Sequence, residues 1–403
     1  MLTYEQAIER ILKATPAPRA VRVTLDEALG LVLARPIVAR CDLPLFDHAA
    51  VDGYAVRCAD GIADAAGVTL RVVGCASAGT PSQRRLRAGQ AARILTGAVI
   101  PRGADGVVMQ EHVQRSGDQV IVNRWPQPGQ HIRRRGEDLR RGAQALEAGR
   151  RLRAQELGLL ASLGARAVPV YPRPTVAVLV TGDELKSQGG RLRAGQIYDS
   201  NGPLLTALAQ QAGARVVRLG RARDLLSAVS ARLTQGLTAD LLLVCGGVSV
   251  GDKDVVRQAA KACGVKELFW KVDIKPGMPL FFGKRGRTLV FGLPGNPVSV
   301  FVTFEEFVKP ALFRLMKRAW QDGYTQQATL ASGVQVSTTR RTHFIRVRNV
   351  GRNGRLLVEP VHGQGSHQLR TLVEADGWIR MAAGQRPWPA GTPVVVKREE
   401  HDR

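Results

Sequence analysis

The spacing of hydrophobic and polar positions changes several times along the 403-residue chain, and the changes divide it. MLTYEQAIERILKA places apolar residues at helical spacing and predicts an amphipathic helix ending near Lys13, before PAP. TLDEALG has Thr24 and Glu27 at capping-box spacing and predicts a second short helix running toward Pro36. From Pro44 to about Arg135 the apolar runs shorten: TLRVVG, AARIL, DGVVMQ and QVIVN are separated by Gly, Pro and Asp. That texture predicts strands and turns. LRRGAQALEAGRRLRAQELGLLASLG returns to helical spacing, with Gly164 as its stop. The proline-rich PVYPRPT then marks a boundary. Beyond it strand and helix patterns alternate: TVAVLVTG, NGPLLTALAQQAG, RVVRLG, DLLSAVSARLTQ, ADLLLVCGG, DVVRQAAKACG, LVFGLPGN and PVSVFVTFEEFVKPALFRLM. Such alternation predicts a parallel sheet with helices on both faces. From about Gln326, HFIRVRNV, RLLVEPV and TPVVVKRE are strands again.

The fold class read from this pattern is multidomain α/β plus β. A central parallel α/β sheet domain is flanked by β-rich domains and an N-terminal helical or linker segment. The expected boundaries are 1–45 with 136–172 for the helical/linker domain and 46–135 for an inserted β-rich domain. The α/β domain is expected over 173–325, and a C-terminal β-barrel-like domain over 326–403.

Composition narrows the function classes. No apolar run approaches the 18 residues of a membrane span, and the N-terminus lacks the basic-then-apolar plan of a signal peptide, so the cytoplasm is expected. Five cysteines without a CxxC argue for free thiols rather than disulfides or zinc. The net charge is +24, mostly arginine; between Arg133 and Arg153 eight arginines face three acids. An anionic partner fits that balance, and so does a solvated surface in an arginine-rich chain. Aromatic content of 5% and the lack of a nucleic-acid-binding signature argue against a specific nucleic-acid partner.

In an open parallel sheet, ligands bind outside the carboxyl ends of the strands. Those ends here are chemically distinctive. They carry TGDE (Thr181–Glu184), RARD with Asp224, CGGVSVGDKD with Ser249, Asp252 and Asp254, KVDIKPG with Lys271 and Lys275, and GLPGNP. Glycines allow close backbone approach, and lysines attract phosphate or oxyanion groups. Carboxylates beside an anionic ligand call for a cation between them. Mg²⁺ bridges carboxylates to phosphates, so the set suggests metal-assisted chemistry on a phosphorylated small molecule. Each feature also has an ordinary structural counterpart. Gly-Gly after a strand makes a turn, Asp224 can cap the next helix, Glu184 and Asp254 can be solvated loop acids, and Lys271 can be a surface strand residue. No GxxxxGK[ST] or GxGxxG occurs at these strand ends.

Eight segments then carry a resemblance: PLFDHAAVDGYAV (44–56), ARILTGAVIPRGADGVVMQE (92–111), HIRRRGED (131–138), TGDEL (181–185), GQIYDSNGPLL (195–205), CGGVSVGDKD (245–254), KVDIKPGMP (271–279) and GLPGNPVS (292–299). In this order, over nearly the whole chain, they resemble the molybdopterin molybdenumtransferase family of MoeA type, related to the E domains of gephyrin and of the plant cofactor-synthesis protein. The resemblance makes 173–325 the molybdopterin-binding domain. It implies Mg²⁺-dependent conversion of adenylylated molybdopterin and molybdate into molybdenum cofactor and AMP. It also implies an elongated homodimer whose clefts combine the α/β domain of one copy with the β-rich domain of the other. The upstream adenylyltransferase and acceptor molybdoenzymes are further partners on this reading. A non-catalytic, gephyrin-like scaffold is the alternative.

Carried onto matching positions, the resemblance implies catalytic roles for Asp52, Thr96, Asp138, Glu184, Asp224, Asp254, Lys271 and Lys275. Glu184, Asp224 and Asp254 become the metal ligands. Arg133, Thr181, Gly182, Asp183, Gly246, Gly247, Ser249, Gly251, Pro294, Gly295, Asn296 and Ser366 become cofactor-binding. Three positions depart from the family pattern. Cys245 stands where Ser or Thr is common, Met278 where lysine is usual, and Arg370–Thr371 replace a small hydroxyl pair.

Overall fold

The computed structural model describes residues 1–62, 66–247, 255–336, 340–351 and 356–398. The chain forms two compact units, Arg22–Pro169 and Met1–Val21 with Val170–Arg403. Among the described residues no helix is long and apolar enough to cross a membrane.

The Arg22–Pro169 unit is built on a six-stranded sheet in the spatial order Gly106–Met109, Gly53–Val56, Gln90–Ile94, Val68–Ala76, Gln119–Val122, Val113–Ser116. Strand alternation puts Ala55, Ala92, Ile94 and Val107 into one apolar cluster and Tyr54, Val56, Val108 and Val120 into another. Two helix expectations fail here. Thr24 and Glu27 do hydrogen bond, Thr24 Oγ1 donating to Glu27 Oε2 at 3.1 Å, but they close a turn. In the long segment expected as helix, Gly142 (φ 88) and Gly149 (φ 85) take left-handed turns. Between them Gln144–Leu146 pairs as a strand with Ile37–Val38. Only Ala154–Ser162 is helical, and Gly164 at φ 73 ends it. The buried Glu156 anchors that helix by accepting from Arg153 N at 2.9 Å and Arg150 Nε at 3.0 Å.

The second unit contains the α/β sheet, in the order Arg215–Ala222, Thr175–Thr181, Leu241–Cys245, Thr288–Leu293, Phe281–Arg285, Lys266–Trp270. The first four strands are parallel, as the alternation predicts. Phe281–Arg285 is antiparallel to both its neighbours. The reason is local: the loop from Arg285 to Thr288 is too short for a crossover, so the two strands form a hairpin. Two antiparallel steps leave Lys266–Trp270 running in the same direction as the first four. Five strands therefore end on one edge. Val176, Val178 and Val180 pack on one face of the sheet, and Ala177 and Leu179 on the other.

Five further strands, Tyr324–Leu330, Thr342–Asn349, Leu357–Pro360, Gly377–Met381 and Pro393–Arg398, close into a barrel through the pairing of Thr342–Asn349 with Gly377–Met381. Its interior holds Leu330, Ile345, Val347, Ile379 and Val396. The short strand Ile274–Lys275 adds in parallel to Thr342–His343. That pairing carries Lys275 from the α/β segment to the barrel.

Candidate functional site

The carboxyl edge of the sheet opens into a hollow of about 600 Å³. Thr181, Gly182 and Glu184 line it from the end of the Thr175–Thr181 strand, and Asp224 from beyond Arg215–Ala222. Cys245, Gly246 and Gly247 come from the end of Leu241–Cys245, and Pro294, Gly295 and Asn296 from the end of Thr288–Leu293. Gly246 is required by geometry: its φ is 94°, and a Cβ there would lie 2.5 Å from the Thr181 carbonyl oxygen. A second hollow, of about 730 Å³, contains Lys275, Met278, Ser299, Arg341 and Ser366. The two share Pro279, Pro294, Asn296 and His367, so they adjoin, and together they make a trough along the sheet edge.

Among the described residues, three buried side-chain oxygens of residues lining the first hollow have no hydrogen-bond partner: Thr181 Oγ1, Asn201 Oδ1 and Asp224 Oδ1. A buried acceptor without a donor costs about 1–3 kcal/mol. All three residues line one space, and water or a ligand that supplies protons or positive charge would complete these groups. With Glu184 they make an all-oxygen donor set of the kind Mg²⁺ takes, usually with one or two carboxylates and several waters. Among the described residues there is no cluster of three His, Cys, Asp or Glu able to hold a metal by protein ligands alone. Ser249, Gly251 and Asp254, also assigned from sequence, lie outside the described residues.

The helix-cap explanation of Asp224 does not hold. The helix is Leu226–Gly236, its cap residue is Leu225, and no side chain caps it. Asp199 is the acid that serves a helix start, accepting from Gly202 N at 2.8 Å at the head of Asn201–Gln211. Asp183 is exposed and turned toward Arg223, with which it pairs at 3.4 Å. Cys245 is buried, and its thiol donates to the Pro294 carbonyl at 3.2 Å. Burial, with the charge of Asp199, pushes that thiol well above its ordinary pKa, so it is a neutral wall of the hollow.

The barrel contributes through the Gln364–His367 segment. Asn296 Nδ2 donates to Ser366 Oγ at 2.9 Å, and Val298 N donates to the Ser366 carbonyl at 3.1 Å. Arg346 fixes this segment from behind, with its terminal NH2 donating to Gly363 O at 3.2 Å and Gly365 O at 3.3 Å. It is 2% exposed, its Nε and other terminal nitrogen have no partner among the described residues, and burial lowers its pKa to about 10. The departure at Arg370–Thr371 falls in a short helix: Arg370 pairs with Glu374 at 2.6 Å and Thr371 Oγ1 donates to Gln368 O at 2.6 Å. Met278 lines the second hollow beside Lys275, so the charge missing there is missing from the trough. The trough also includes residues not anticipated from sequence: Asn201, whose Nδ2 donates to Gly295 O at 2.7 Å, His367 and Arg341. A larger hollow of about 960 Å³ runs along the barrel strands, but its acid, Asp322, is already paired with Arg380 at 3.2 Å.

Lys271 lies apart from both hollows. Its Nζ sits 3.9 Å from the centroid of the Trp270 ring.

In the Arg22–Pro169 unit, Asp52 and Thr96 meet directly. Asp52 Oδ1 accepts from Thr96 N and from Thr96 Oγ1, each at 2.7 Å, and these bonds hold the carboxyl below its usual pKa. The adjoining strand His48–Ala49 is bonded to Gly97 and Ala98 on one side and pairs with Ile132–Arg133 on the other. This gathers Thr96, Asp52 and Arg133 around one short strand. Asp138 follows in the turn that donates from Gly136 N to Pro44 O and from Asp138 N to Leu43 O, each at 3.0 Å.

The comparisons with known proteins agree on one family along the chain. Residues 2–164 match the pattern described as MoeA N-terminal region (domain I and II). Residues 177–314 match a probable molybdopterin binding domain, and residues 328–397 match the MoeA C-terminal region (domain IV). The chain is 36% identical to the molybdopterin molybdenumtransferase of Haemophilus influenzae, over 100% of this chain and 99% of that one. It is 35% identical to molybdopterin molybdenumtransferase 2 of Mycobacterium tuberculosis, over 98% of each. Among solved structures, the molybdopterin biosynthesis MoeA protein of Pyrococcus horikosii superposes with a TM-score of 0.81 at 29% identity, covering 99% of both chains.

Proposed function

The chain belongs to the MoeA-type molybdopterin molybdenumtransferase family, and from that premise we propose that it converts adenylylated molybdopterin and molybdate into molybdenum cofactor, releasing AMP. The observation that carries this reading is the set of three unpartnered buried oxygens, Thr181 Oγ1, Asn201 Oδ1 and Asp224 Oδ1, in the hollow that Glu184 also lines. An acidic, oxygen-rich pocket opening into a trough with Lys275 and Arg341 suits a ligand that is anionic yet needs a cation between itself and the protein.

Glu184 and Asp224 would hold Mg²⁺, which when bound lowers the charge on the phosphoanhydride and orders water beside it. Lys275 would place its ammonium against the anionic phosphate or molybdate. Thr181 and Asn201 would fix the ligand by hydrogen bonds, and the buried Cys245 would exclude water without competing for metal. The dithiolene of the substrate, rather than a protein thiol, takes up the molybdenum. Asp52, Thr96, Arg133 and Asp138 serve the same reaction, and the working form is a homodimer in the cytoplasm.

The test is AMP release from adenylylated molybdopterin by the purified full chain, with molybdate and Mg²⁺ supplied. Lys275→Ala and Glu184→Gln are each expected to lower turnover by about 10²-fold or more, the scale of one positioned catalytic group. Wild-type turnover in both would overturn the proposal. A scaffold would bind molybdopterin and release no AMP.

A further inference from the structure

Lys271 occupies an unusual position. It follows the last residue of the Lys266–Trp270 strand, at the same edge of the sheet as the other carboxyl ends. Its φ is 70°, a left-handed conformation that costs a non-glycine residue about 1 kcal/mol or more. The backbone is held there by Lys271 N donating to Leu280 O at 3.1 Å and Val272 N donating to Met278 O at 3.0 Å. The consequence is a side chain folded back onto its own neighbour, with Nζ 3.9 Å from the Trp270 ring centroid. Trp270 is itself secured. Arg257 stacks on the same indole at 3.9 Å and is tied to Glu267 by bonds of 3.1, 3.2 and 3.0 Å.

The choice of partner matters. A carboxylate would hold the ammonium and also cancel its charge. An indole face attracts the ammonium through its quadrupole and leaves the full charge able to act on an anion. In this cluster Glu267 offsets Arg257, and among the described residues no carboxylate lies within ion-pair reach of Lys271. Among the described residues the Lys271 ammonium therefore keeps its own charge, at a fixed place. The place is remote from the acids: four strand spacings separate Lys266–Trp270 from Thr175–Thr181, about 19 Å. A pterin joined to a nucleotide through a phosphoanhydride is a long ligand whose phosphates and dithiolene are separate anionic groups, so cations at more than one place along the rim can act on it.

We propose that Trp270 is a positioning residue for this reaction, whose indole fixes the Lys271 ammonium, uncancelled, as the cationic post at the far end of the strand-end rim. This rests on the proposed reaction and on the catalytic role that the family resemblance implies for Lys271, and the experiment separates the two. Four full-length variants are compared in AMP release: Trp270→Leu, Trp270→Phe, Lys271→Met and the double variant Trp270→Leu with Lys271→Met. Trp270→Leu is expected to raise KM for adenylylated molybdopterin by about 2- to 30-fold, the range of one cation–π contact, with kcat retained. Trp270→Phe keeps an aromatic face and should recover most of the loss. In the Lys271→Met background, Trp270→Leu should add nothing.

A second readout is independent of activity. After reductive ¹³C-methylation, the Lys271 resonance, assigned by its loss in Lys271→Met, should be shifted upfield by the indole ring current. It should return to the position of a solvated lysine in Trp270→Leu. An additive double variant, or a Lys271 resonance already at the solvated position in the wild type, overturns the proposal. So does a Lys271→Met enzyme with wild-type KM. That last result removes Lys271 from the substrate's path and leaves Glu184 and Lys275 to be judged by their own variants.

Discussion

At the scale of single residues, Asp224 is the sharpest case. Its sequence position allows either a helix cap or a ligand-facing acid, and the two make opposite predictions. A cap contributes about 1 kcal/mol to stability and is lost on mutation to alanine. An acid whose buried Oδ1 has no donor contributes a penalty instead, recovered only when the ligand arrives. Because the helix begins at Leu226 with no side-chain cap, Asp224→Ala is expected to leave the melting temperature of the ligand-free chain unchanged or slightly raised. AMP release should still fall by about 10²-fold or more. Differential scanning fluorimetry beside the activity assay decides it. A melting temperature lowered on the capping scale, with turnover intact, would return Asp224 to a structural role. The strand-end acids and glycines could be found from sequence because their neighbours in space come from a regular alternation. Asn201, His367 and Arg346 could not. They reach the trough or its wall through the folding of separate segments, as Asn201 does in bonding Gly295 and Arg346 in bonding Gly365.

At the scale of elements, the long helix after GLPGNP is interrupted where a buried acid must be placed. Pro297–Thr303 and Lys309–Leu315 are α-helical, and Phe304–Val308 between them is a π turn. Pro310 supplies a cause, since it has no N–H to give the Glu306 carbonyl and its ring crowds the turn before it. The widened turn carries Glu306, which is fully buried. Its carboxylate accepts from Tyr4 Oη at 2.7 Å, Lys397 Nζ at 3.0 Å, Trp378 Nε1 at 3.2 Å and Tyr324 Oη at 3.3 Å. One acid thus joins the N-terminal helix to the barrel. Burial and the Glu306 charge push both phenols well above their ordinary pKa, so they remain donors across the physiological range. Glu306→Gln keeps the shape and removes the charge, leaving the buried Lys397 ammonium, among the described residues, with Glu305 at 3.4 Å as its acid partner. Breaking a buried pair costs about 3–5 kcal/mol. At roughly 2–4 °C per kcal/mol, the melting temperature should fall by about 10 °C. An unchanged value would show that the network adds no stability to this joint. The sequence pattern predicts this helix but not its π turn. It likewise reads the segment before Gly164 as one helix, because arginines, leucines and alanines at helical spacing outweigh glycines whose left-handed φ only the structure exposes.

At the scale of the whole molecule, the +24 charge has to be reconciled with a stable fold, and part of the answer is where the acids are spent. In the Arg22–Pro169 unit, Asp42 accepts from Arg141 N at 2.7 Å and Arg135 Nε at 2.6 Å. Asp47 accepts from Arg135 N at 2.8 Å and from a terminal nitrogen of Arg134 at 2.7 Å. Backbone hydrogen bonds, with the arginine partners, hold both carboxyls below their usual pKa, and Thr96 does the same for Asp52. Each therefore binds a proton less tightly folded than unfolded. The unfolded chain gains protons first as pH falls, so the contribution is full above the unfolded value of about 3.9 and is lost as pH drops through the lower folded values. Over the same range the other carboxylates neutralise and self-repulsion among 58 Lys and Arg rises. Salt separates the two effects, because it screens distant repulsion and leaves direct hydrogen-bonded pairs largely intact. Melting temperature is expected to be nearly flat from neutral pH to about 5 and to fall steeply below about 4, with only part of the fall restored by added salt. The double variant Asp42→Asn with Asp47→Asn should start less stable at neutral pH and lose less on acidification. Equal acid sensitivity in the variant and the wild type, or full rescue of the wild type by salt, would assign acid unfolding to net charge rather than to these paired carboxylates.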